Sequence, residues 1–549
     1  MAMVIQESSE NGLGHAVTDR RQVVAFSWIE LLIVPGLIAL QLLCLRDPIP
    51  FTHSFWLDEI HTQLLVDDPS LTHATNALAA GVDFNPPTYY LLARLTALTG
   101  VAPEISQRVF SLACVVACCV CVYLLVRERC TRTTAATAAL LIWSFDVVQS
   151  QAFESRFYAP WLAAVGLTSL CLQRCTTSPA LVWRVGLLVG SSVICTVHYF
   201  GVISLGLIVG AHLLQQWLTK RGGYSTLLWM TPGVVLLIVC ITTFYRGQRS
   251  ALSVATWVPP VDWSSTWQFL RELVPIWSLA IALMVWLFAR RQNVSGHHSS
   301  DECDSSAARS WPPAALGLML MPVCLMAFSL LIQPALVSRY GSVGIIGFAV
   351  LLGALLRPAP TWIAATFGVW FFVAGLQTLG SQVERWQRTE ARQAEMIARL
   401  RQVDRSLPLL FESRHAMYPI TRYAPDLAPR VRFLALSNQN LRDFNSVTPF
   451  RIVERDVALR IEEFYPTYQT LPFDELRTLP RAIIVAFRQR KDFGKQLDGF
   501  AVTQLQPQIY EVVPQSRELG QAPKDGVAPT DGPAPVQPPD SGETLVGNH

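Results

Sequence analysis

The chain has 549 residues, of which 51% are hydrophobic and only 15% are charged, and its mean hydropathy is +0.33. In soluble domains about a quarter of the residues are charged, so the composition excludes an ordinary soluble enzyme. The 43 Lys and Arg nearly balance the 40 Asp and Glu, and a net charge of +3 is too small for a nucleic-acid-binding protein. The sequence therefore predicts an integral membrane protein with room for a soluble domain.

Apolar stretches near the ~20 residues that cross a bilayer recur up to residue 380. We predict about eleven spans, near residues 27–45, 108–126, 134–149, 159–173, 185–200, 202–219, 226–244, 275–289, 313–333, 341–356 and 361–379. With residues 1–26 in the cytoplasm, thirteen Lys and Arg fall in inner loops and eight in outer loops. An odd number of spans then places everything after residue 380 outside the cytoplasm.

The composition changes after residue 380. Residues 382–405 are polar with helical spacing and predict a helix that leaves the membrane. The segments LPLLFE, VRFLAL, AIIVAF and IYEVV predict strands, and they alternate with polar helical stretches such as FDELR. We therefore expect a small extracytoplasmic α/β domain over residues 381–515. Residues 516–549, rich in Pro, Gly and Asp, predict a disordered tail.

The loop after the first span carries adjacent carboxylates, Asp58 and Glu59, preceded by Phe55 and Trp56. Aromatic residues of this kind anchor a segment at the membrane interface. Carboxylates at such a depth are candidate general bases, because partial desolvation moves a carboxyl toward the useful range of pKa. A solvated acidic loop is the alternative, because further Asp residues follow in the same loop.

A second motif, DFNPPTYY at residues 83–90, contains Asp83, Asn85 and Tyr89. Its two prolines favour the start of a new segment. That segment has aromatic and Leu positions on one face, and it is too short to span a bilayer. We expect it to lie along the membrane surface.

Two ionisable residues, Glu154 and Arg156, follow the third predicted span in the sequence ESRFY. Ionisable groups at a membrane boundary beside a second acidic loop are candidates for a functional site. The alternative is structural: Arg156 would pair with a carboxylate and close a helix turn.

Three arginines, Arg246, Arg249 and Arg339, fall outside against the positive-inside trend. A guanidinium can hold a phosphate through two parallel hydrogen bonds, or it can extend to lipid headgroups. Arg339 is the best candidate, because its short loop carries no other charge. His198, at the outer end of the fifth span, is a candidate ligand or proton carrier, with a structural role as the alternative.

In their order and sidedness these motifs resemble the GT-C class of membrane glycosyltransferases, in particular the bacterial relatives of protein O-mannosyltransferases and aminoarabinose transferases. The resemblance covers roughly residues 25–380 and rests on the successive motifs W-x-D-E, D-x-N-P-P-x-Y-Y, E-S-R-F-Y, H-Y-F and S-R-Y. It implies an inner-membrane enzyme that transfers a sugar from a polyprenyl phosphate to a cell-envelope acceptor outside the cytoplasm, by an inverting displacement.

The resemblance also implies residue roles. Asp58 would deprotonate the acceptor hydroxyl and Glu59 would support it. Glu154 would bind a divalent cation, Mg²⁺ or Mn²⁺, or position the substrate, and Arg339 would bind the lipid phosphate. Asn85 stands where the aminoarabinose transferases have a carboxylate, which Asp83 could replace. The further candidates for substrate binding are Asp83, Asn85, Tyr89, Arg156, His198, Arg246 and Tyr340.

The partners implied are the lipid-linked donor, a lipid, polysaccharide or protein acceptor, and membrane lipids, with no nucleic acid. Two other functions stay open. A lipid-linked oligosaccharide polymerase or ligase would depend on outer Arg and His and not on the paired carboxylates. A transporter or flippase should have ionisable residues at mid-membrane in broken helices, whereas here they gather at the outer edge.

Overall fold

The computed structural model describes residues 28–178, 180–220, 224–251, 258, 260–295, 311–436, 449–486, 497 and 499–515. The predictions for residues 1–26 and 516–549 lie outside this described part of the chain.

Most of the described chain is helical. Numbered in chain order, the helices up to residue 402 are α1 (Ile33–Leu45), α2 (Ile49–Thr52), α3 (Leu57–Asp67), α4 (Leu71–Ala80), α5 (Thr88–Ala97), α6 (Pro103–Arg127), α7 (Arg132–Trp143), α8 (Asp146–Ala152), α9 (Tyr158–Thr177), α10 (Leu181–Val197), α11 (Gly201–Thr219), α12 (Thr231–Cys240), α13 (Arg246–Ser250), α14 (Trp263–Leu273), α15 (Ile276–Ser295), α16 (Pro313–Gly317), α17 (Met321–Leu331), α18 (Ser338–Gly341), α19 (Gly344–Leu356) and α20 (Thr361–Gln402). A π-helical turn, Ile241–Tyr245, joins α12 to α13.

Within the described residues, five helices are long and apolar enough to cross a membrane. They are Pro103–Arg127, Gly201–Thr219, Tyr224–Ser250, Pro313–Leu331 and Thr361–Gln402. The pair Trp263–Leu273 and Ile276–Arg291, bent by 55°, forms a sixth candidate, and shorter apolar helices cover Ile29–Leu45, Leu181–Val197 and Gly344–Leu356. The predicted class, an α-helical multi-pass membrane protein, is confirmed, whereas the count of eleven spans stays a prediction.

The predicted span near residues 134–149 is not one continuous helix. Helix α7 ends at Trp143, Phe145 is extended with ψ 132°, and α8 begins at Asp146. The Asp146 carboxylate accepts hydrogen bonds from Gln382 at 3.1 Å and Arg385 at 2.5 Å. An acidic residue is favoured in the first turn of a helix, and Asp146 also has hydrogen-bond partners on α20. Both favour the start of a new helix at Asp146.

Small residues allow close packing among the membrane helices. Helix α9 packs between α6 and α10, and α7 packs on α20. A Cβ on Gly166 would lie 3.4 Å from the Cys118 sulfur, and a Cβ on Gly190 would clash with the Thr168 hydroxyl. Such positions bring helix backbones close together where lipid supplies no hydrophobic driving force.

The C-terminal part is a small α/β domain joined to the membrane part by one continuous helix, α20. Its strands are β1 (Leu409–Phe411), β2 (Val431–Ala435), β3 (Thr470–Pro472), β4 (Ala482–Val485), β5 (Phe500–Gln506) and β6 (Ile509–Pro514), and its helices are α21 (Arg414–Tyr423) and α22 (Pro449–Phe464). The sheet order is β3-β2-β1-β4-β6-β5. The first four strands in that order are parallel, and β6 is antiparallel to β4 and β5.

The structure therefore confirms the small α/β domain, and it shows a helix over most of residues 382–405, as predicted. Strands β3 and β5 were missed, because β3 has only three residues and β5 is largely exposed and polar. Helix α20 runs through residue 380, so the predicted domain boundary lies inside a helix. Helix α21 packs on α3 and α22 on α4, which places the domain directly on the loop that follows the first span.

Candidate functional site

Asp58 and Glu59 occupy the first turn of α3 and have different surroundings. The Asp58 side chain is 24% exposed, whereas the Glu59 side chain is completely buried. Glu59 accepts a hydrogen bond from the backbone N–H of Trp56 at 3.2 Å, which closes the first turn. Of the two adjacent carboxylates, Asp58 is therefore accessible to a substrate, whereas Glu59 is not.

Glu59 is held by a buried ion pair. Its carboxylate accepts from the Arg108 guanidinium at 2.9 Å and from the backbone N–H of Ser155 at 2.6 Å. Arg108 is itself fully buried, with its guanidinium against the carbonyl of His53. Glu59 thus ties α3 to α6 and to the segment after α8, which fits its predicted supporting role. Arg108 was missed as its partner, since its only signal in the sequence is a lone Arg at the start of an apolar helix.

Arg156 and Asp83 form a second buried ion pair. The guanidinium Nη1 of Arg156 lies 2.6 Å from Asp83 Oδ2, and its Nη2 lies 3.4 Å from Asp83 Oδ1. Arg156 also donates to the backbone carbonyl of Asp58 at 2.7 Å and to Thr62 at 2.9 Å. The predicted carboxylate pair of Arg156 exists, but it joins two distant loops instead of closing a helix turn, and it holds the backbone of Asp58.

Asn85 and Tyr89 of the second motif are also buried. Asn85 donates to Asp83 Oδ1 at 3.2 Å, and the Tyr89 hydroxyl lies 3.3 Å from that of Ser155. Helix α5, which follows the prolines, begins at Thr88. These side chains pack beside the two buried ion pairs, Glu59–Arg108 and Asp83–Arg156, which we call the framework around α3.

Arg339 faces Asp58. Its Nη1 lies 3.8 Å from Asp58 Oδ2, and the Arg339 side chain is 20% exposed. Three aromatic rings surround the guanidinium carbon, those of Trp56 at 5.9 Å, Tyr158 at 5.5 Å and Tyr340 at 5.8 Å. A partly open carboxylate and a neighbouring guanidinium are the kinds of group that can act as a base and as an anion-binding group.

His198 is packed in aromatic side chains next to this pair. Its ring stacks on Phe157 at 4.5 Å and Trp161 at 4.9 Å, and it lies 5.3 Å from Tyr340. Its Nδ1 accepts from the backbone N–H of Phe200 at 3.2 Å. The arrangement favours the structural alternative for His198. The Tyr340 ring lies between the His198 ring and the Arg339 guanidinium and contacts both.

Glu154 lies close to the same charges. Burial raises the pKa of Glu154 to about 7, with Arg339 opposing this rise and Glu59 and Asp58 adding to it. Among the described residues there is no group of three or more His, Cys, Asp or Glu that could hold a metal ion. The neighbouring Glu59 is also engaged by Arg108. The described residues around Glu154 therefore do not fit a divalent cation.

Arg246 stands apart from this cluster. It is exposed on α13 and makes no hydrogen bond or ion pair within the described part of the chain. Its helix does contact the second motif, because Gln248 donates to the carbonyls of Leu78 at 3.2 Å and Asn85 at 3.1 Å. The structure thus brings the other predicted site residues together, but not Arg246, and Arg249 is likewise exposed on α13.

Comparison with known proteins points to one fold. No protein-family model and no curated protein matches the chain. The solved structure of ArnT from Cupriavidus metallidurans bound to undecaprenyl phosphate is similar, with a TM-score of 0.51 and 12% identity, over 89% of this chain and 99% of that one. Its apo structure has a TM-score of 0.55 and 11% identity, over 87% and 98%. At such identity the likeness shows the fold, and the chain therefore has the GT-C-type fold that its motifs resemble.

Proposed function

We propose that this protein is a glycosyltransferase that moves a sugar from a polyprenyl phosphate to a cell-envelope acceptor. The observation that carries the proposal is the placement of Asp58 opposite Arg339, 3.8 Å apart and both partly exposed. The shared fold with ArnT, one of whose structures holds undecaprenyl phosphate, supports the choice of donor class.

In the proposed reaction Asp58 accepts the proton of the acceptor hydroxyl as its oxygen attacks the anomeric carbon. The bond between that carbon and the phosphate oxygen breaks, and the polyprenyl phosphate leaves with the bonding electrons. The Arg339 guanidinium stabilises the negative charge of the leaving phosphate. Attack and departure occur on opposite faces of the sugar, so the configuration is inverted, through an oxocarbenium-like transition state.

The framework residues keep these two groups in place. Glu59, paired with Arg108, fixes the first turn of α3. Arg156, paired with Asp83, holds the carbonyl of Asp58. Neither role requires contact with substrate, so we assign these residues to positioning.

We further propose that the site faces the outside of the bacterial inner membrane, with the N-terminus in the cytoplasm. The distribution of Lys and Arg between loops supports this orientation. The C-terminal domain shares the side of the site, because α21 packs on α3. A polymerase or ligase has less support, because His198 is stacked among aromatic rings and Arg246 lies away from the cluster.

The test measures release of polyprenyl phosphate by the full chain in lipid nanodiscs, with synthetic undecaprenyl-phosphate hexoses and pentoses as donors and membrane glycolipids as acceptors. Asp58→Asn should lower release by about 10²–10⁴-fold. Asp474→Asn, at an exposed position of the C-terminal domain, is the matched control and should behave as wild type. Near-normal release by a well-folded Asp58→Asn protein would refute the proposal.

A further inference from the structure

The backbone that leads to Asp58 is held by side chains from elsewhere in the protein. Residues 54–56 are not part of a helix, so their N–H groups have no helical partners. The Ser54 N–H donates to the Glu390 carboxylate at 2.7 Å, and the Phe55 N–H donates to the Tyr423 hydroxyl at 2.8 Å. The Trp56 N–H donates to the Glu59 carboxylate at 3.2 Å. Every N–H of this short segment is therefore satisfied by a side chain.

Two of these three acceptors belong to the part of the chain beyond residue 380. Glu390 lies on the polar half of α20 and accepts a second hydrogen bond, from the Ser54 hydroxyl at 3.0 Å. Tyr423 ends α21, and its hydroxyl donates to Glu104 at 2.9 Å while it accepts from Phe55. The Tyr423 hydroxyl thus links α21, α6 and the segment before Asp58.

Helix α21 also contacts α3 on the other side of Asp58. The Arg414 guanidinium lies 3.5 Å from Nε2 of His61, one turn after Asp58, and the Tyr418 ring meets the His61 ring edge-on at 5.5 Å. Near the segment before Asp58, the Arg422 guanidinium lies 5.4 Å from the centre of the Phe55 ring. Helix α21 therefore holds the chain both before and after Asp58.

We propose that Tyr423 and Glu390 are positioning residues for Asp58, so that docking of the C-terminal domain completes the catalytic site. This inference rests on the proposed function. Asp58 must meet an acceptor hydroxyl on one side and keep its distance from Arg339 on the other. A displacement of about 1 Å at a reacting group can lower a rate by about a hundredfold, so loosening residues 54–56 should slow transfer without removing any group that touches substrate.

The first variant is Tyr423→Phe, which keeps the ring and removes only the hydroxyl. Its matched control is Tyr465→Phe, since the Tyr465 hydroxyl also bridges the two parts of the protein, through Asp68 at 2.9 Å, but ten residues beyond Asp58. We expect kcat of Tyr423→Phe to fall roughly tenfold to a hundredfold, with unchanged KM for the donor and unchanged Kd for undecaprenyl phosphate. Tyr465→Phe should keep the wild-type kcat.

A second pair of variants changes Glu390. Glu390→Gln keeps a carbonyl oxygen that can accept from the Ser54 N–H, whereas Glu390→Ala removes both acceptors. We expect Glu390→Gln to retain much of the rate and Glu390→Ala to lose it to a similar degree as Tyr423→Phe. Equal kcat values for the two Glu390 variants would contradict a role through hydrogen bonding to residues 54–56.

Hydrogen exchange in nanodiscs gives a readout that does not depend on the reaction. Amides in peptides covering residues 51–58 should exchange faster in Tyr423→Phe than in Tyr465→Phe. Wild-type kcat or unchanged exchange in a well-expressed Tyr423→Phe protein would overturn the inference. If Asp58→Asn itself remained active, the proposed function would fail, and the positioning inference would fail with it even if the exchange result supported docking.

Discussion

Replacing Asp58 by Asn should change binding and transfer in opposite directions. In the free protein the Asp58 carboxylate lies 3.8 Å from the Arg339 guanidinium, so it competes with a phosphate for that cation. Two unit charges at about 4 Å attract by about 1 kcal/mol in water and about 4 kcal/mol at an effective dielectric constant of 20. Both side chains are 20–24% exposed, so we take the lower value, in line with exposed pairs.

Removing the competing carboxylate should therefore tighten the binding of undecaprenyl phosphate by about fivefold. The same variant cannot take up the acceptor proton, so its transfer rate should fall by about 10²–10⁴-fold. Undecaprenyl phosphate is titrated into wild-type, Asp58→Asn and Asp474→Asn proteins in nanodiscs, and Kd is read from intrinsic Trp fluorescence. A Kd that is unchanged or weaker in Asp58→Asn would refute the competition between Asp58 and the phosphate for Arg339.

Further predictions concern the neighbours of Asp58. Arg339→Lys keeps the charge but loses the paired hydrogen bonds, so donor affinity should fall by about tenfold to a hundredfold, from a loss of about 1.5–3 kcal/mol; unchanged donor dependence would return Arg339 to headgroup anchoring. Glu59→Gln leaves the buried Arg108 unpaired and should destabilise the protein by about 3–5 kcal/mol, visible as a lower Tm beside a normal Asp58→Asn. Glu154 has a folded pKa of about 7, above its ordinary 4.5, so its contribution to stability is present below pH 4.5 and is lost as pH rises through 7; Glu154→Gln should flatten the Tm between these values. Dialysis against a chelator should leave transfer intact, and a loss that Mg²⁺ or Mn²⁺ restores would instead support the cation expected from the motif resemblance.

The sequence predicted much of the fold, because the relevant signals are local. Long apolar runs indicate membrane helices, and the change to polar helical spacing at residue 382 indicates where the polar half of α20 begins. Short, mostly apolar segments predicted β2 and β4. Elements without such a signal were missed: β5 is mostly exposed, and the break between α7 and α8 depends on partners of Asp146 on α20.

For the candidate site, the sequence by itself determined which residue types were available: the adjacent carboxylates Asp58 and Glu59, and Arg339 in an otherwise uncharged loop. Only the tertiary structure decided that these two face each other, that Glu59 is engaged by Arg108, and that Tyr423 holds the segment before Asp58. The physical reason is that helix formation and burial follow from the pattern of neighbouring residues, whereas an ion pair across hundreds of residues depends on how whole helices pack. A short motif contains the chemistry of its side chains but no information about the distance to their partners.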